Sequence, residues 1–235
     1  MSRLNTITRG KRVRPPRILV YGMEGIGKST FAANFPAPVF IPTEDGLDNI
    51  DVASFPLVTS IEEVFEDLDA LVLEENDFQT IVIDSLDWLE RLIWNKVATD
   101  NKVDNIEKIG YGKGYTMALN YWQSVVDRLE VLHGKGRAIL LLAHAVAEDY
   151  TDPEVSNLKR FTPRLNKLAR SLFMEYVDVT LLATRRLGAA RGDSERIVRT
   201  EAAPQQVAKS RYPIPDVLPL DAAAVLTAIR NSQNS

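Results

Sequence analysis

Residues 22–29 read Gly-Met-Glu-Gly-Ile-Gly-Lys-Ser, which matches the pattern G-x-x-x-x-G-K-[S/T] at every fixed position. The apolar run RILVY at 17–21 predicts a buried strand before this stretch, and a helix is predicted after it at 28–34. The glycines let the backbone wrap closely around phosphate groups, and amides at the start of the helix point at the anion. The stretch therefore predicts a phosphate-binding loop.

The loop predicts a role for each of its polar groups. Lys28 is expected to reach the β- and γ-phosphates of ATP, and Ser29 is expected to hold Mg²⁺. A second magnesium ligand is expected at the end of another buried strand, and Asp84 in TIVIDS (80–85) supplies it. The alternative for Asp84 is a cap on the following helix, a role that Ser85 or Asp87 would serve equally well. The predicted nucleotide-binding residues are Gly22, Glu24, Gly25, Ile26, Gly27, Lys28, Ser29 and Thr30.

Further apolar runs alternate with helical patterns along the chain. Strands are predicted at 39–42, 80–84, 138–143 and 177–183, with a return strand at 196–200 after an Arg-Gly-Asp-Ser turn at 191–194. Helices are predicted at 60–73, 86–99, 116–133, 163–174 and 221–231, and polar loops at 101–115 and 147–162. This alternation predicts an α/β fold, a mostly parallel sheet flanked by helices with an antiparallel hairpin at one edge.

Two polar residues that follow predicted strands complete a candidate site for hydrolysis. Glu44 follows the second strand, in FIPTEDGLDNI, and is the candidate general base that polarises the attacking water. His144 ends the apolar run LLLAHA, where an α/β sheet faces its ligand crevice, so a role in sensing the γ-phosphate is predicted. The ordinary alternatives are an acidic turn around Gly46 and a histidine that is satisfied within the core.

Composition narrows the class of protein. The chain has 235 residues, is 45% hydrophobic and 26% charged, and contains no cysteine. This excludes a disulfide framework, thiolate-bound zinc and a cysteine nucleophile. The start has no apolar signal region, and the apolar run at 138–147 is about half the ~20 residues that cross a bilayer. We expect a protein that makes no membrane contact and resides in the cytoplasm, the host cytoplasm if it is phage-encoded.

The net charge of −4 hides two basic segments. The first is a tail at 1–14, and the second includes Lys159, Arg160, Arg164, Lys167 and Arg170. Both segments could hold a phosphate backbone or could be solvated surface. The expected organisation is the basic tail, one ATPase domain at 15–231, and a disordered C-terminus at 232–235.

Taken in order, these features resemble the RecA-type P-loop ATPase core. More narrowly, the chain resembles small phage RecA-core ATPases of the Sak type, which are implicated in single-strand annealing and recombination. The phosphate loop and Asp84-Ser85 indicate only the P-loop superfamily. The narrower resemblance to the Sak type rests on the segment that begins at Glu44, on GYGKGY at 110–115 and on AKSRYPIPDVLPLD at 208–221. The resemblance covers about residues 15–230 and implies ATP and Mg²⁺ as ligands.

The resemblance implies further roles. Glu44 would be the catalytic glutamate, and His144 stands where RecA proteins carry a glutamine that couples the γ-phosphate to DNA. Lys209 and Arg211 match basic residues that reach a neighbouring subunit's nucleotide, which implies a homo-oligomer, either a ring or a filament. The family's DNA-binding loops correspond to 101–115 and 147–162. Candidate contacts with single-stranded DNA, made directly or through a single-strand-binding protein, are Tyr111, Lys113, Tyr115, Lys159 and Arg160.

Two other functions fit the same sequence. A nucleotide-switched helicase loader or recombination mediator would recruit a partner through its basic tail. A P-loop small-molecule kinase would use Arg185, Arg186 and Arg191 as a lid over the nucleotide. We favour an ATPase that acts on single-stranded DNA in phage recombination or replication, by strand annealing or pairing.

Overall fold

One large, mostly parallel β-sheet organises the chain. The computed structural model describes residues 3–10, 13–151, 158–188 and 194–234. Its strands are β1 (Arg17–Gly22), β2 (Pro38–Pro42), β3 (Ala53–Ser54), β4 (Thr80–Asp84), β5 (Ala138–Tyr150), β6 (Leu158–Pro163), β7 (Val179–Leu187), β8 (Ser194–Arg199), β9 (Lys209–Ser210) and β10 (Val217–Pro219). The helices are α1 (Lys28–Ala33), α2 (Ile61–Leu73), α3 (Leu86–Asp100), α4 (Lys113–Gly134), α5 (Lys167–Tyr176) and α6 (Ala222–Asn234).

The strand order places β1 in the middle of the sheet. The order is β10-β8-β7-β1-β5-β4-β2-β3, with β6 paired to β5 and β9 paired to β7. Strands β3, β2, β4, β5, β1 and β7 run parallel. Strands β8 and β9 each pair antiparallel with β7, and β10 pairs antiparallel with β8. The predicted α/β architecture with an antiparallel edge hairpin is confirmed.

Helices cover both faces of the sheet because each parallel strand alternates apolar side chains between them. On β1, Leu19 and Tyr21 pack with α2, α3, α4 and α5. Ile18 and Val20 point the other way and pack with α1 and α6. Within the described ranges, no helix combines the length and the apolar character that spanning a bilayer requires.

The start of α2 shows how a local pattern is realised. Ser60 is the N-cap, and its hydroxyl accepts a hydrogen bond from the amide of Glu63. The Glu63 carboxylate reaches back one residue further than a capping box requires and accepts from the amide of Thr59. The predicted helix start is therefore correct.

The prediction of a polar loop at 147–162 was wrong for 147–150 and 158–162, which form strands. Strand β5 continues beyond the sheet to Tyr150 and pairs antiparallel with β6, from Ala145–Pro163 to Tyr150–Leu158. We call these paired segments, 145–150 and 158–163, the ribbon. Residues 152–157 lie outside the described residues. A ribbon that leaves the sheet has no buried face along most of its length, so its strands are polar in composition. That composition was the reason why a loop was predicted.

Three predicted boundaries also move. Helix α4 begins at Lys113, so Tyr115 lies in a helix and not in the predicted loop. Helix α5 begins at Lys167 because residues to Pro163 belong to β6 and the Asn166 side chain caps the helix by accepting from the amide of Leu168. Helix α6 continues to Asn234, so the disorder predicted for 232–234 was wrong. The turn residues 191–193 lie outside the described residues, and β8 begins at Ser194.

Candidate functional site

The phosphate loop lies where β1 ends and α1 begins, as its sequence predicts. Gly22 closes β1 against β7 so tightly that a methyl group on it would lie 2.6 Å from the carbonyl oxygen of Ala183. Gly27 precedes α1 with φ +104°, a conformation that favours glycine. Both positions therefore need glycine, for two different physical reasons.

Lys28 is buried, although it carries a charge. Within the described part of the chain, its ammonium donates only to main-chain carbonyls of the loop, at 3.2 Å to Gly22 O and 3.4 Å to Met23 O. Burial lowers the pKa of Lys28, and the nearby carboxylates of Asp84 and Glu44 oppose that shift. A lysine that is held in place without an ion pair suits an anionic ligand such as the β- and γ-phosphates of ATP.

Ser29 and Asp84 meet as the magnesium prediction requires. The Ser29 hydroxyl donates to Oδ2 of Asp84 over 2.6 Å, and Asp84 is 4% exposed. Burial raises the pKa of Asp84, and the hydrogen bond from Ser29 partly offsets this. A hydroxyl and a carboxylate beside a phosphate loop form the oxygen donor set that Mg²⁺ prefers, so these residues fit the ion.

Neighbouring strands fix the position of Glu44. Strands β2 and β4 are paired in register, Pro42 beside Asp84. The next residue, Thr43, donates its amide to Asp84 O over 2.7 Å and its hydroxyl to Ser85 O over 2.6 Å. Burial raises the pKa of Glu44, and His144 opposes this. The carboxylate is therefore held at the carboxyl edge of the sheet as a base of increased strength.

His144 is buried at the same edge, level with Gly22 on the adjoining strand. Its Nε2 lies 3.9 Å from Oε1 of Glu44, and its Nδ1 lies 3.0 Å from Oδ2 of Asp87. The Asp87 carboxylate also accepts the backbone amide of His144 over 2.9 Å. The imidazole is thereby oriented towards the candidate catalytic glutamate.

Arg164 extends this arrangement to the phosphate loop. Its guanidinium donates to Oδ2 of Asp87 over 2.9 Å, and its Nη1 lies 3.8 Å from Oε1 of Glu24. We call the resulting series, Glu24–Arg164–Asp87–His144–Glu44, the charged network. The Ser85 side chain makes no capping hydrogen bond to α3, and Asp87 serves the network instead.

The sequence analysis missed Asp87 and Arg164 as functional residues. Asp87 was considered only as a helix cap, and Arg164 was grouped with a basic cluster. They are 77 residues apart in the chain, and no short motif joins them. The local sequence offers only an acid early in a helix and a basic residue after a proline.

The other loop residues occupy the predicted positions. Ile26 is buried and belongs to the core cluster that faces α1. Glu24 and Gly25 are exposed, and Gly25 has φ +71°. Thr30 is exposed on α1. The structure thus brings together Lys28, Ser29, Asp84, Glu44 and His144.

The structure does not bring Lys209 and Arg211 to this site. Lys209 pairs with Thr180 near the amino end of β7, at the opposite edge of the sheet from the loop. Its ammonium donates to Val177 O over 2.8 Å, and Arg211 donates to Oδ1 of Asp178 over 3.0 Å. Within one chain these cations hold the end of α5. Their role towards a neighbouring chain's nucleotide stays a prediction.

The DNA-contact candidates differ in how they are held. Tyr111 is 103% exposed, and Lys113 is exposed in the first turn of α4. Tyr115 instead packs edge-on against Trp94, with ring centroids 5.3 Å apart, and lies against the core. Part of the Tyr115 ring is therefore covered within the chain, and base stacking by Tyr115 stays a prediction.

On the ribbon, Lys159 is exposed, 3.8 Å from Asp149. The Arg160 guanidinium is turned over the Tyr150 ring, 4.4 Å from its centroid. Phe161, which the sequence analysis did not select, is 38% exposed two residues after Lys159 and therefore on the same face. An exposed cation beside an exposed aromatic ring is the pairing that single-strand binders use.

Comparisons with known proteins identify the family of the chain. Residues 14–212 match the model of the AAA_24 family, described as an AAA domain. Over 136 residues the chain is 27% identical to the SPbeta prophage-derived uncharacterized protein YorG of Bacillus subtilis (strain 168). That match covers 56% of this chain and 41% of YorG, so the chain spans less than half the length of this relative.

Two solved structures align with the chain. The flagellar accessory protein FlaH from Methanocaldococcus jannaschii is 10% identical, with a TM-score of 0.46, over 79% of this chain and 77% of FlaH. The KaiC-like protein PH0186 from Pyrococcus horikoshii OT3 is 12% identical, with a TM-score of 0.43, over 88% of this chain and 90% of that protein. The family match covers most of the sequence and includes the loop, Glu44, Asp84 and His144; the chain belongs to the AAA_24 family.

Proposed function

We propose that this protein hydrolyses ATP and acts on single-stranded DNA in phage recombination or replication, by strand annealing or pairing, and that a neighbouring subunit completes its ATP site. The observation that carries the proposal is the charged network at the base of the ribbon. His144 lies on β5 just before the ribbon, and Arg164 follows β6 directly. The two arms of a candidate DNA-binding element thus each supply one residue of the network.

The same residues support a route for hydrolysis. Lys28 holds the phosphates, and Glu44 takes a proton from the water that attacks the γ-phosphate. Mg²⁺ held by Ser29 and Asp84 would neutralise charge on the phosphate oxygens. His144 orients Glu44 from one side and is itself fixed by Asp87.

The network gives a physical reason for coupling ATP to DNA. The amide of Arg164 donates to His144 O over 2.8 Å, so the two arms of the ribbon are joined at their base. A shift of the ribbon on binding DNA would move His144 and Arg164 together. Because both contact Asp87, that shift would alter the position of the imidazole beside Glu44.

A role for a neighbouring subunit is supported by the position of Arg211. It lies at the edge of the sheet opposite the chain's own loop, and half of its side chain is exposed. A cation that neutralises charge on the γ-phosphate of an adjoining chain would make hydrolysis depend on assembly. This assignment rests on the resemblance to RecA-type proteins.

The first test is the ATPase rate with and without single-stranded DNA, measured across a range of protein concentrations. We expect DNA to stimulate turnover and the specific activity to rise with concentration. Lys28→Ala serves as the blank, and Arg211→Ala should abolish the dependence on concentration. Turnover that is flat in both variables, with tight ATP binding, would reject the proposal and favour a nucleotide-switched loader.

The second test concerns the ribbon itself. Lys159→Ala should weaken the binding of a labelled oligonucleotide and reduce its log–log salt slope by roughly 0.7, the value for one phosphate contact on a single strand. Phe161→Ala should weaken binding by about 1–3 kcal/mol through lost stacking. The control is Lys135→Ala, which removes an exposed lysine after α4, at the opposite edge of the sheet. Equal effects of all three variants would show that the ribbon is not the DNA site.

A kinase has less support from the structure. Arg185 and Arg186, the proposed lid residues, belong to strand β7, and Arg186 is paired with Glu195. Arg191, the third, lies outside the described residues. Residues fixed in a paired strand do not suit a lid that closes over a small acceptor.

A further inference from the structure

Two arginines face each other across the hairpin beside the phosphate loop. In the ladder of β7 and β8, Arg185 lies directly opposite Arg196. Strand β7 is paired to β1 with Ala183 beside Gly22, so Arg185 lies just beyond the carboxyl end of β1. The 270 Å³ cavity next to the loop is bounded by residues 23–26, 183 and 184 together with Arg185.

Both side chains lie on the face of the sheet that carries α1. Val179, Leu181 and Ala183 of β7 bury their side chains on that face. Successive side chains of a strand alternate between faces, so Arg185 continues this row, and its directly opposite partner Arg196 shares the face. The loop and α1 therefore have two cations next to them on the same side of the sheet.

Arg196 reaches the loop itself. A methyl group placed on Gly27 would lie 3.0 Å from Nη1 and 3.9 Å from Cζ of Arg196. The guanidinium thus lies against Gly27, the residue that immediately precedes α1. Within the described residues, the Arg196 guanidinium takes part in no ion pair and no hydrogen bond.

This pairing is unfavourable as it stands. Like charges directly opposite each other in an antiparallel ladder destabilise it. The adjacent Arg186 has its own acid, since its guanidinium donates to Glu195 over 2.6 Å. Among the residues that the structure describes, Arg185 donates only to the neutral hydroxyl of Ser194, over 3.1 Å. An anion bound between the loop and Arg196 would remove the repulsion, and a guanidinium matches phosphate oxygens in charge and geometry.

The sheet order decides which phosphate group Arg196 contacts. Strands β5, β4 and β2 lie on one side of β1, and they carry His144, Asp84 and the segment leading to Glu44. Strands β7 and β8 lie on the other side of β1. The γ-phosphate and the metal belong to the first side, so Arg196 is left with the phosphates that are not transferred.

We infer that Arg196, supported by Arg185, binds the α- and β-phosphates of the nucleotide held by the loop of its own chain. This inference rests on nucleotide binding by the loop and adds a second cation, besides Lys28, to the phosphate site. It makes Arg196 a residue for affinity towards ADP and ATP alike, distinct from the groups that perform hydrolysis.

The test is the affinity of the purified protein for fluorescently labelled ADP and ATP, measured by equilibrium titration in the presence of Mg²⁺. Losing one charge-assisted contact should weaken the binding of both nucleotides by about 10- to 100-fold in Arg196→Ala. Arg196→Lys keeps the charge but loses the planar fork, so its affinity should lie between Arg196→Ala and wild type. Arg186→Ala is the matched control, an exposed arginine of the same hairpin with its own acid, and should stay within about two-fold of wild type.

The outcomes separate the inference from the function on which it rests. Unchanged affinity of Arg196→Ala for both nucleotides, with wild type binding normally, would overturn the inference alone. A loss confined to ATP would also overturn it, because that result would assign Arg196 to the γ-phosphate. If wild type and Lys28→Ala both fail to bind, nucleotide binding itself fails and the inference fails with it. Since Arg196 is exposed and its loss relieves the repulsion from Arg185, the expected loss of affinity should be accompanied by a melting temperature that is not lowered.

Discussion

Nδ1 of His144 lies 3.0 Å from Oδ2 of Asp87, two residues that are 57 positions apart in the chain. Burial alone would raise the pKa of Asp87, but hydrogen bonds from His144 and Arg164 hold the pKa well below its usual range. The lowered pKa keeps this carboxylate charged at neutral pH, and it orients a histidine whose Nε2 lies 3.9 Å from Oε1 of the candidate base, Glu44. The coupling proposed between DNA and hydrolysis depends on this pair.

Asp87→Asn should separate coupling from catalysis. The amide keeps an oxygen for the His144 backbone but loses the charge that holds the imidazole and Arg164. We expect the stimulation by single-stranded DNA to fall by roughly 10-fold, an energy of about 1.4 kcal/mol, while ATP affinity changes little. The measurement is the ratio of ATPase rates with and without DNA.

The control for this prediction is Asp127→Asn, which changes an exposed carboxylate on α4. A purely structural role for Asp87 would lower both rates and the melting temperature without changing their ratio. An unchanged ratio in Asp87→Asn would therefore contradict the coupling.

Glu44→Gln should remove hydrolysis and retain binding. A positioned general base contributes about 100- to 10,000-fold to a rate. We expect a loss of at least about 100-fold in kcat, with labelled ATP bound as tightly as in wild type. Retention of more than a tenth of the wild-type rate would show that another group activates the water.

The pH dependence of wild type provides a second measurement on Glu44. Catalysis needs the carboxylate form, and burial raises the pKa of Glu44 above its ordinary value. The ATPase rate should therefore fall on acidification, with a midpoint above the usual ~4.3 of glutamate. The rate should be full above that midpoint, provided the protein stays folded, which circular dichroism at each pH can check.

Glu90→Gln should stabilise the protein at alkaline pH. Glu90 is 4% exposed, and burial raises its pKa to about 7, although the amide of Asn166 donates to its carboxylate. A raised folded pKa means that stability is full below the unfolded value of ~4.3 and is lost as the pH rises through about 7. A neutral glutamine avoids this loss.

We expect Glu90→Gln to raise the free energy of unfolding at pH 8 by about 1–2 kcal/mol and to leave it nearly unchanged at pH 5. For a domain of this size that corresponds to a rise of roughly 2–8 °C in melting temperature at pH 8. Thermal denaturation at the two pH values is the measurement. A stabilisation that is equal at both would show that ionisation of Glu90 is not the cause.

Asp178→Asn should destabilise the protein in the opposite pH range. Burial alone would raise the pKa of Asp178, but hydrogen bonds from Arg17 outweigh it and the pKa is lowered. The stability that Asp178 contributes is present above its unfolded pKa of ~3.9 and is lost as the pH falls through the lower folded value. We expect a loss of about 1–3 kcal/mol at pH 7 that diminishes below pH ~4.

The matched control is Asp149→Asn. That carboxylate is 93% exposed and lies 3.8 Å from Lys159, so its ion pair should contribute less than about 1 kcal/mol. Denaturant titrations of both variants across pH are the measurement. Equal effects of the two substitutions would contradict the role assigned to the Arg17–Asp178 pair.

Local sequence was enough to predict those parts of the site that belong to a single motif or that follow a single apolar run. The phosphate loop, Asp84 and Glu44 are all at predicted strand ends, and parallel strands bring their carboxyl ends to the same edge of a sheet. The α/β class follows from the same alternation. The edge hairpin was likewise predicted locally, from a turn sequence between two short predicted strands.

Only the tertiary structure decided the contacts between distant elements. Pairing of β5 with β6 brings Arg164 to Asp87 at the start of α3, and pairing of β7 with β8 brings Arg196 beside the loop. In the sequence these three are ordinary polar residues. The ribbon was missed because its strands leave the sheet and lose the apolar pattern that marks buried strands. The packing of Tyr115 was missed for the converse reason, since a tyrosine in a polar stretch gives no sign that its ring lies edge-on against Trp94. The sequence by itself thus determined where the phosphate loop and the carboxylates at the strand ends lie, and the packing decided which distant side chains lie beside them.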